Sequence, residues 1–189
     1  YQYLLVTSGS RTHLGEIRTN NGRYPGLREV AVTTRLYRLP LDSANIVLPN
    51  DSAALAATGL IAASGLRNTY SLAYDPAGHL FGVENSGERD DPEEMNWIRY
   101  GEHYGFPWTL GGNSNPIQSP TYDVSQDPLV NHASGGYQGG YFNATPGFPT
   151  PPNIIFKEPV LNLGPDADKF RDPVTGAVRD ASDEGTALP

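Results

Sequence analysis

Residues 70–85 read YSLAYDPAGHLFGVEN. Two strand-like runs flank Asp75-Pro76-Ala77-Gly78. Proline presets the backbone for a turn and glycine accepts positive φ, so the spacing predicts a tight β-hairpin. Outward from it, Glu94–Ile98 (EMNWI) reads as the next strand, reached through Asp90-Asp91-Pro92-Glu93. Upstream, Tyr3–Ser8 (YLLVTS) is a β-rich run that breaks at Gly9, and residues 35–41 (RLYRLPL) return to alternation. Residues 46–48 read as a short strand. The Ala-rich residues 51–63 suit one or two helical turns with Asp51 near the N-cap. Residues 11–32 are polar and glycine-punctuated and read as a long loop. Residues 110–165 have little periodicity and read as either a long packed loop region or a poorly ordered one.

A weak internal repeat links these pieces. Tyr3-Leu4-Leu5-Val6 resembles His79-Leu80-Phe81-Gly82, each as the second strand of a hairpin. Each is followed by a polar, Gly-containing loop and a short strand with a polar middle, Leu36-Tyr37-Arg38-Leu39 and Met95-Asn96-Trp97-Ile98. Hairpin, loop and strand in repetition is how propeller blades are built. The first copy lacks its leading strand. The chain opens on Tyr1, inside a strand-like run, and stops abruptly at Gly185–Pro189. It is therefore expected to be a piece of a longer protein.

Composition narrows the classes. The 189 residues carry a net charge of −8, with no basic stripe to suggest a nucleic-acid partner. With 21 Gly and 17 Pro, about a fifth of the chain is punctuation, which a long-helix protein cannot tolerate. No apolar run of about 18 residues exists, so no membrane span is expected. Cysteine is absent, which removes disulfides, thiolate nucleophiles and Cys-based zinc sites. No G-x-S-x-G elbow, G-x-G-x-x-G loop or P-loop occurs.

The densest constellation runs from Gly65 to Trp108. Arg67 offers a planar fork of donors that matches a carboxylate bidentately, and Asn68 adds a donor and an acceptor. One reading is capture of an anionic ligand at a strand entrance. The other, preferred from composition alone, is a surface arginine paired with an acidic loop residue. Residues 84–94 carry Glu84, Glu88, Asp90, Asp91, Glu93 and Glu94 directly after a strand. Hard oxygen ligands with glycine-permitted carbonyls suit Ca²⁺, although the spacing is not that of an EF-hand. On spacing alone a solvated acidic turn is preferred over a metal site. YGEHYGFPW, residues 100–108, reads as a loop packed on the core edge in preference to a ligand-pocket wall. The four histidines, His13, His79, His103 and His132, show no metal-ligand spacing. His79 sits at a turn and is expected to be exposed. His13 lies at the mouth of the first strand, where packing is preferred over a functional role.

Taken in order, Gly65-Leu66-Arg67-Asn68, the Asp75–Gly78 turn, Glu84…Gly87, Glu94-Met95-Asn96-Trp97-Ile98 and Gly101…Tyr104-Gly105-Phe106-Pro107 resemble the soluble quinoprotein glucose/sorbosone dehydrogenase family. That family is a six-bladed β-propeller that uses pyrroloquinoline quinone (PQQ) and Ca²⁺. The resemblance implies an all-β fold, about two to three blades of a propeller, with residues 1–189 a partial domain truncated at both ends. It implies that Arg67 and Asn68 hold the quinone cofactor, with Ser10 and Arg11 lining it from the neighbouring blade. Gly87 and Glu88 stand near a Gly-Pro pair whose carbonyls bind the cofactor's Ca²⁺. Here Glu88 replaces the proline, and the loop to Glu94 is longer. Glu94 and Tyr104 match positions that hold a second, structural Ca²⁺ in some members. The family's catalytic histidine precedes the Tyr3–Ser8 strand, so no catalytic residue is assigned within this chain.

The implied activity is PQQ- and Ca²⁺-dependent oxidation of a sugar hydroxyl, with a separate electron acceptor, in a periplasmic or secreted enzyme. The fragment alone is expected to be inactive. The alternatives are a Ca²⁺-dependent propeller lactonase and a non-catalytic propeller that binds carbohydrate or a partner.

Overall fold

The computed structural model describes residues 3–19, 23–160, 169–172 and 174–180. Strand β1 (Tyr3–Ser8) pairs antiparallel with β2 (Arg35–Pro40), in a register that sets Leu5 opposite Arg38 and Ser8 opposite Arg35. Helix α1 (Ser52–Ala57) and β3 (Ile61–Ser64) follow, and β3 completes a sheet of order β1-β2-β3. The second sheet is β4 (Thr69–Tyr74), β5 (Leu80–Glu84) and β6 (Glu94–Ile98), also antiparallel and in chain order. β7 (Thr109–Leu110) and β8 (Asn113–Ser114) form a small hairpin. After the short helix α2 (Gly135–Gln138), β9 (Lys169–Arg171) pairs with β10 (Val178–Asp180). The described chain is mostly small antiparallel sheets joined by long loops, as an all-β reading requires.

The central hairpin forms for local reasons. Asp75 N–H donates to the His79 carbonyl at 2.9 Å, and Gly78 N–H to the Asp75 carbonyl at 3.0 Å. Gly78 has φ +88°, a conformation that costs a side-chain-bearing residue energy. The Asp75 carboxylate takes the His79 backbone N–H and its Nδ1, each at 2.8 Å, closing the turn a second time. His79 is exposed.

The expected repeat is visible in the pairing. β1–β2 and β5–β6 are corresponding antiparallel hairpins. In the first sheet the far edge of β2 is covered by β3. In the second, Val160 N–H reaches the Met95 carbonyl at 2.8 Å and covers the same edge of β6.

One expectation needs correction, and one strand was not anticipated. Residues 46–48 form no strand, because both edges of β2 are already occupied by β1 and β3. The Ala-rich stretch begins as expected, with the Asp51 carboxylate capping Ala54 N–H at 2.9 Å. It stops after one and a half turns, because Gly59 takes φ +66° and residues 61–64 pair with β2 instead. Ala62 and Ala63 are small enough to let the two sheets approach.

That approach is the first core. Leu36, Ala62 and Ala63 of one sheet meet Leu80 and Ile98 of the other, with Leu66 and Tyr104 buried in the same cluster. A second core lies under the long loops, formed by Leu14, Phe106, Leu110, Ile117, Val130 and Phe142. Residues 110–160 are thus packed loop, held by apolar anchors rather than by periodicity.

His103 joins the two regions. Its Nδ1 accepts from Gly105 N–H at 3.1 Å, and its carbonyl accepts from Lys157 N–H at 2.8 Å. Its ring lies against Phe156 and Trp108. Gly65, at φ +69°, passes so close that a methyl there would sit 2.2 Å from the imidazole. Burial, helped by the charge of Arg35, pushes His103 down to about 4.

Two outcomes follow. Leu36 is fully buried, so Leu36→Ala should cost about 2–5 kcal/mol in denaturant unfolding. Leu41→Ala, at an exposed site, should stay within roughly 0.5 kcal/mol of wild type. The unfolded chain binds a proton at His103 near pH 6.5, where the folded chain does not. The stability this ring supplies is therefore complete above pH 6.5 and is lost as pH falls towards 4. Denaturant titrations across that range should fall more steeply for wild type than for His103→Phe.

Candidate functional site

Strand alternation sets the site up. Leu80, Gly82 and Glu84 of β5 share one face, opposite Ile98, Asn96 and Glu94 of β6. The apolar end of that face packs in the core. The acidic end emerges beside Arg67. The Glu84 carboxylate is buried and accepts from Arg67 N–H at 2.6 Å and Thr69 Oγ1 at 2.9 Å. It thereby fixes the backbone where the chain enters β4.

The Arg67 side chain then spans two other segments. Its Nε donates to the His13 carbonyl at 2.9 Å and Nη1 donates to the Asn85 carbonyl at 2.5 Å. Both partners are neutral. Among the described residues Arg67 makes no ion pair, so the expectation of an arginine neutralised by an acidic loop residue does not hold. Burial lowers its pKa, partly offset by the more distant Glu84 and Glu16. Asn68 Nδ2 donates to Asn85 Oδ1 at 2.6 Å, and Ser10 N–H to the Arg67 carbonyl at 2.6 Å.

Ser10, Arg11, Arg67, Asn68, Gly87 and Glu88 line one cleft of about 540 Å³, joined by His13, Arg18 and Asn85. Two carboxylates unnoticed in the sequence shape its floor. Glu29 accepts from Arg11 N–H and Thr12 N–H, and Glu16 accepts from His13 N–H, Leu14 N–H and Arg18 Nε. Glu29 acts across the loop, where sequence spacing gives no warning, whereas Glu16 closes a local turn. They leave the Arg11 side chain exposed at the rim. Glu88 turns its carboxylate away, towards Gly136 N–H at 2.6 Å. One oxygen of the Glu88 carboxylate is thereby engaged outside the acidic turn.

Glu94 and Tyr104 do not line this cleft. Tyr104 Oη donates to the Trp97 carbonyl at 2.8 Å and accepts from Arg99 N–H at 2.7 Å, so its hydroxyl is engaged within the fold. Glu94 accepts from Gly111 N–H at 2.8 Å and from Asn96 Nδ2 at 3.0 Å. Burial and then repulsion from Glu84 push Glu94 up to about 8. Two facing carboxylates at close quarters cannot both ionise cheaply. Glu84, Asp91 and Glu94 border a second cavity of about 20 Å³, the size of one water, which Arg67 also lines. Among the described residues no group of three or more acidic or histidine side chains is arranged to hold a metal ion.

The acidic turn is not simply solvated. Arg89 and Asp91 are buried, and the guanidinium bonds Asp91 Oδ1 and, at 3.0 Å, Asp127 Oδ2. Tyr122 Oη also donates to Asp127, at 2.7 Å. Burial works against the Arg89 charge, but the two aspartates outweigh it and hold its pKa above the ordinary value. This staple joins the cleft's acidic side to the loop region 38 residues away, a distance no local motif reports.

No known family model matches the chain, and neither does any curated protein. Among solved structures it is similar to the soluble aldose sugar dehydrogenase of Escherichia coli in its apo-form, at 22% identity and a TM-score of 0.37, over 58% of this chain and 28% of that one. It is similar to the PQQ-bound aldose sugar dehydrogenase of Streptomyces coelicolor at 21% identity and a TM-score of 0.36, over 61% and 31%. A glucose dehydrogenase aligns at 20% identity and a TM-score of 0.39, over 68% and 34%. The chain spans about a third of the length of these proteins.

Removing the staple should be costly. Arg89→Met leaves two buried carboxylates without their counter-charge, and should destabilise the chain by about 3–5 kcal/mol in denaturant unfolding. A change under roughly 1 kcal/mol would place Arg89 with ordinary surface pairs.

Proposed function

We propose that this chain forms part of the cofactor-binding floor of a PQQ-dependent, sugar-oxidising quinoprotein dehydrogenase with β-propeller architecture. One observation carries the reading. Arg67 is a partly buried guanidinium held by two backbone carbonyls and by no carboxylate, and it opens on a cleft that Arg11 and Asn68 also line. Its carboxylate neighbours, Glu84 and Glu16 among them, act on it without a direct ion pair, so the fork keeps donors for an anion in the cleft. PQQ carries three carboxylates, and the order of motifs from Gly65 to Pro107 is the second support.

The residues present suit such a group. Arg67 and Arg11 would take up carboxylate charge, and Asn68, with Ser10 beside it, would orient the ligand. The carbonyls of Gly87 and Glu88 would face the cofactor's Ca²⁺, whose remaining ligands would come largely from the cofactor itself. Gly87 suits this, since its carbonyl takes one long contact from Ser86 Oγ at 3.4 Å. Glu94 and Tyr104 are proposed for a second Ca²⁺, with Tyr104 acting through its carbonyl. When bound, the quinone supplies the electron sink for hydride leaving the sugar carbon. This chain's part is to bind and orient, and to hold positive charge beside the cleft. None of its histidines is assigned the proton from the sugar hydroxyl.

The two three-stranded sheets would be neighbouring blades of a six-bladed ring, with residues 1–189 a partial domain. The whole protein would pass electrons to a separate acceptor and work in the periplasm or outside the cell. Among the described residues, no helix is long and apolar enough to cross a membrane.

Titration calorimetry of the chain with PQQ in the presence of Ca²⁺ tests the reading. Wild type should bind, and Arg67→Leu should weaken binding about a hundredfold, the loss of a charge-assisted pair. Arg67→Lys should recover only part, since it keeps the charge and loses the fork. Unchanged affinity in Arg67→Leu, or no binding by wild type, would remove the basis for the proposal.

A further inference from the structure

His13 lines the same cleft as Arg67, Asn68 and Arg11, and no motif accounts for it. Its ring stacks on Tyr141 at 5.7 Å and meets Phe142 edge-on at 6.0 Å. Its backbone is fixed twice. The N–H donates to Glu16 Oε1 at 3.1 Å, and the carbonyl accepts from Arg67 Nε at 2.9 Å. The ring is therefore a rigid feature, placed by the same contacts that place Arg67.

The two ring nitrogens differ. Nδ1 is buried and has no hydrogen-bond partner. It faces the Cα of Gly87, where an added methyl would lie 3.3 Å from Nδ1 and 3.2 Å from Arg67 Nη2. A C–H cannot accept a hydrogen bond. A proton on Nδ1 would leave a buried donor unsatisfied, at a cost of about 1–3 kcal/mol. A lone pair facing a C–H is tolerated better. The neutral ring consequently carries its proton on Nε2, the nitrogen left for the cleft.

We propose that His13 is a ligand-contacting residue, whose Nε2–H donates to an oxygen of the polycarboxylate that Arg67 neutralises. The inference takes its ligand class from the proposed cofactor reading and is otherwise independent of it. Arg67 would supply charge, and His13 a neutral donor of fixed direction. Gly87 would keep the space between them free of a side chain. Direction is what a flexible arginine rim lacks, so His13 would select among anions by the position of an oxygen rather than by charge.

Long-range ¹H–¹⁵N spectra of the 189-residue chain test this directly. At neutral pH the ring of His13, identified by its loss in His13→Phe, should be the Nε2–H tautomer. An Nδ1–H ring would overturn the inference. PQQ with Ca²⁺ and, separately, benzene-1,2,4-tricarboxylate are then titrated in. Either ligand should shift the Nε2 resonance. His13→Phe, which keeps an aromatic ring against Tyr141, should weaken binding about tenfold, and His13→Gln, which keeps a donor, should recover most of it. If PQQ binds while the His13 signal and the variant affinities stay unchanged, the inference fails and the cofactor reading stands. If only the tricarboxylate binds, and it shifts the signal, the inference stands and the cofactor reading fails. A signal that neither ligand moves overturns it.

Discussion

One guanidinium organises the site. Arg67 leaves the first sheet at its last strand, enters the second at its first, and binds the carbonyls of the first loop and of the acidic turn. Three segments distant in sequence are thereby brought to one cleft. Glu84 makes this possible from below, because its buried carboxylate holds the Arg67 backbone rather than the Arg67 side chain. Had the carboxylate taken the guanidinium, the charge would have been spent within the fold. The guanidinium reaches the cleft without a direct ion pair instead, and the functional reading grows from that division of labour.

The surroundings are arranged to keep the guanidinium in place. The sheet-to-sheet core fixes where β4 and β5 begin and end. The second core, anchored by Leu14 and Phe142, fixes the first loop from outside. Arg89 carries the acidic turn across to the same loop region through Asp127. The cleft therefore sits where the two cores adjoin, on backbone that both restrain. Loops that carry ligand groups on rigid scaffolds are a common solution for binding sites.

What the sequence made legible was local. The hairpin turn depends on Asp75, Pro76 and Gly78 within four residues, and β6 on a short alternating run after it. Asp51 capped its helix because capping is a three-residue event. β3 was missed because Ile61-Ala62-Ala63-Ser64 has helix-forming alanines, and only the open edge of β2 makes it a strand. The charge pairings were missed for a similar reason. Glu29 bonds residues 17 and 18 positions away, and Arg89 bonds Asp127 at 38. Arg67 stood out by residue type and neighbours, but the fact that gives it meaning, carbonyl partners in place of a carboxylate, lies in the tertiary contacts of His13 and Asn85. Glu88 follows the same pattern. Its side chain drew attention in an acidic run, and the structure gives one of its oxygens to Gly136 N–H, 48 residues away.

The most direct measurement is a crystal structure of the chain grown with PQQ and Ca²⁺. The account expects a cofactor carboxylate within hydrogen-bonding distance of the Arg67 guanidinium, with the bonds to His13 and Asn85 retained. PQQ bound elsewhere, or a carboxylate of the chain itself seated on Arg67, would contradict it.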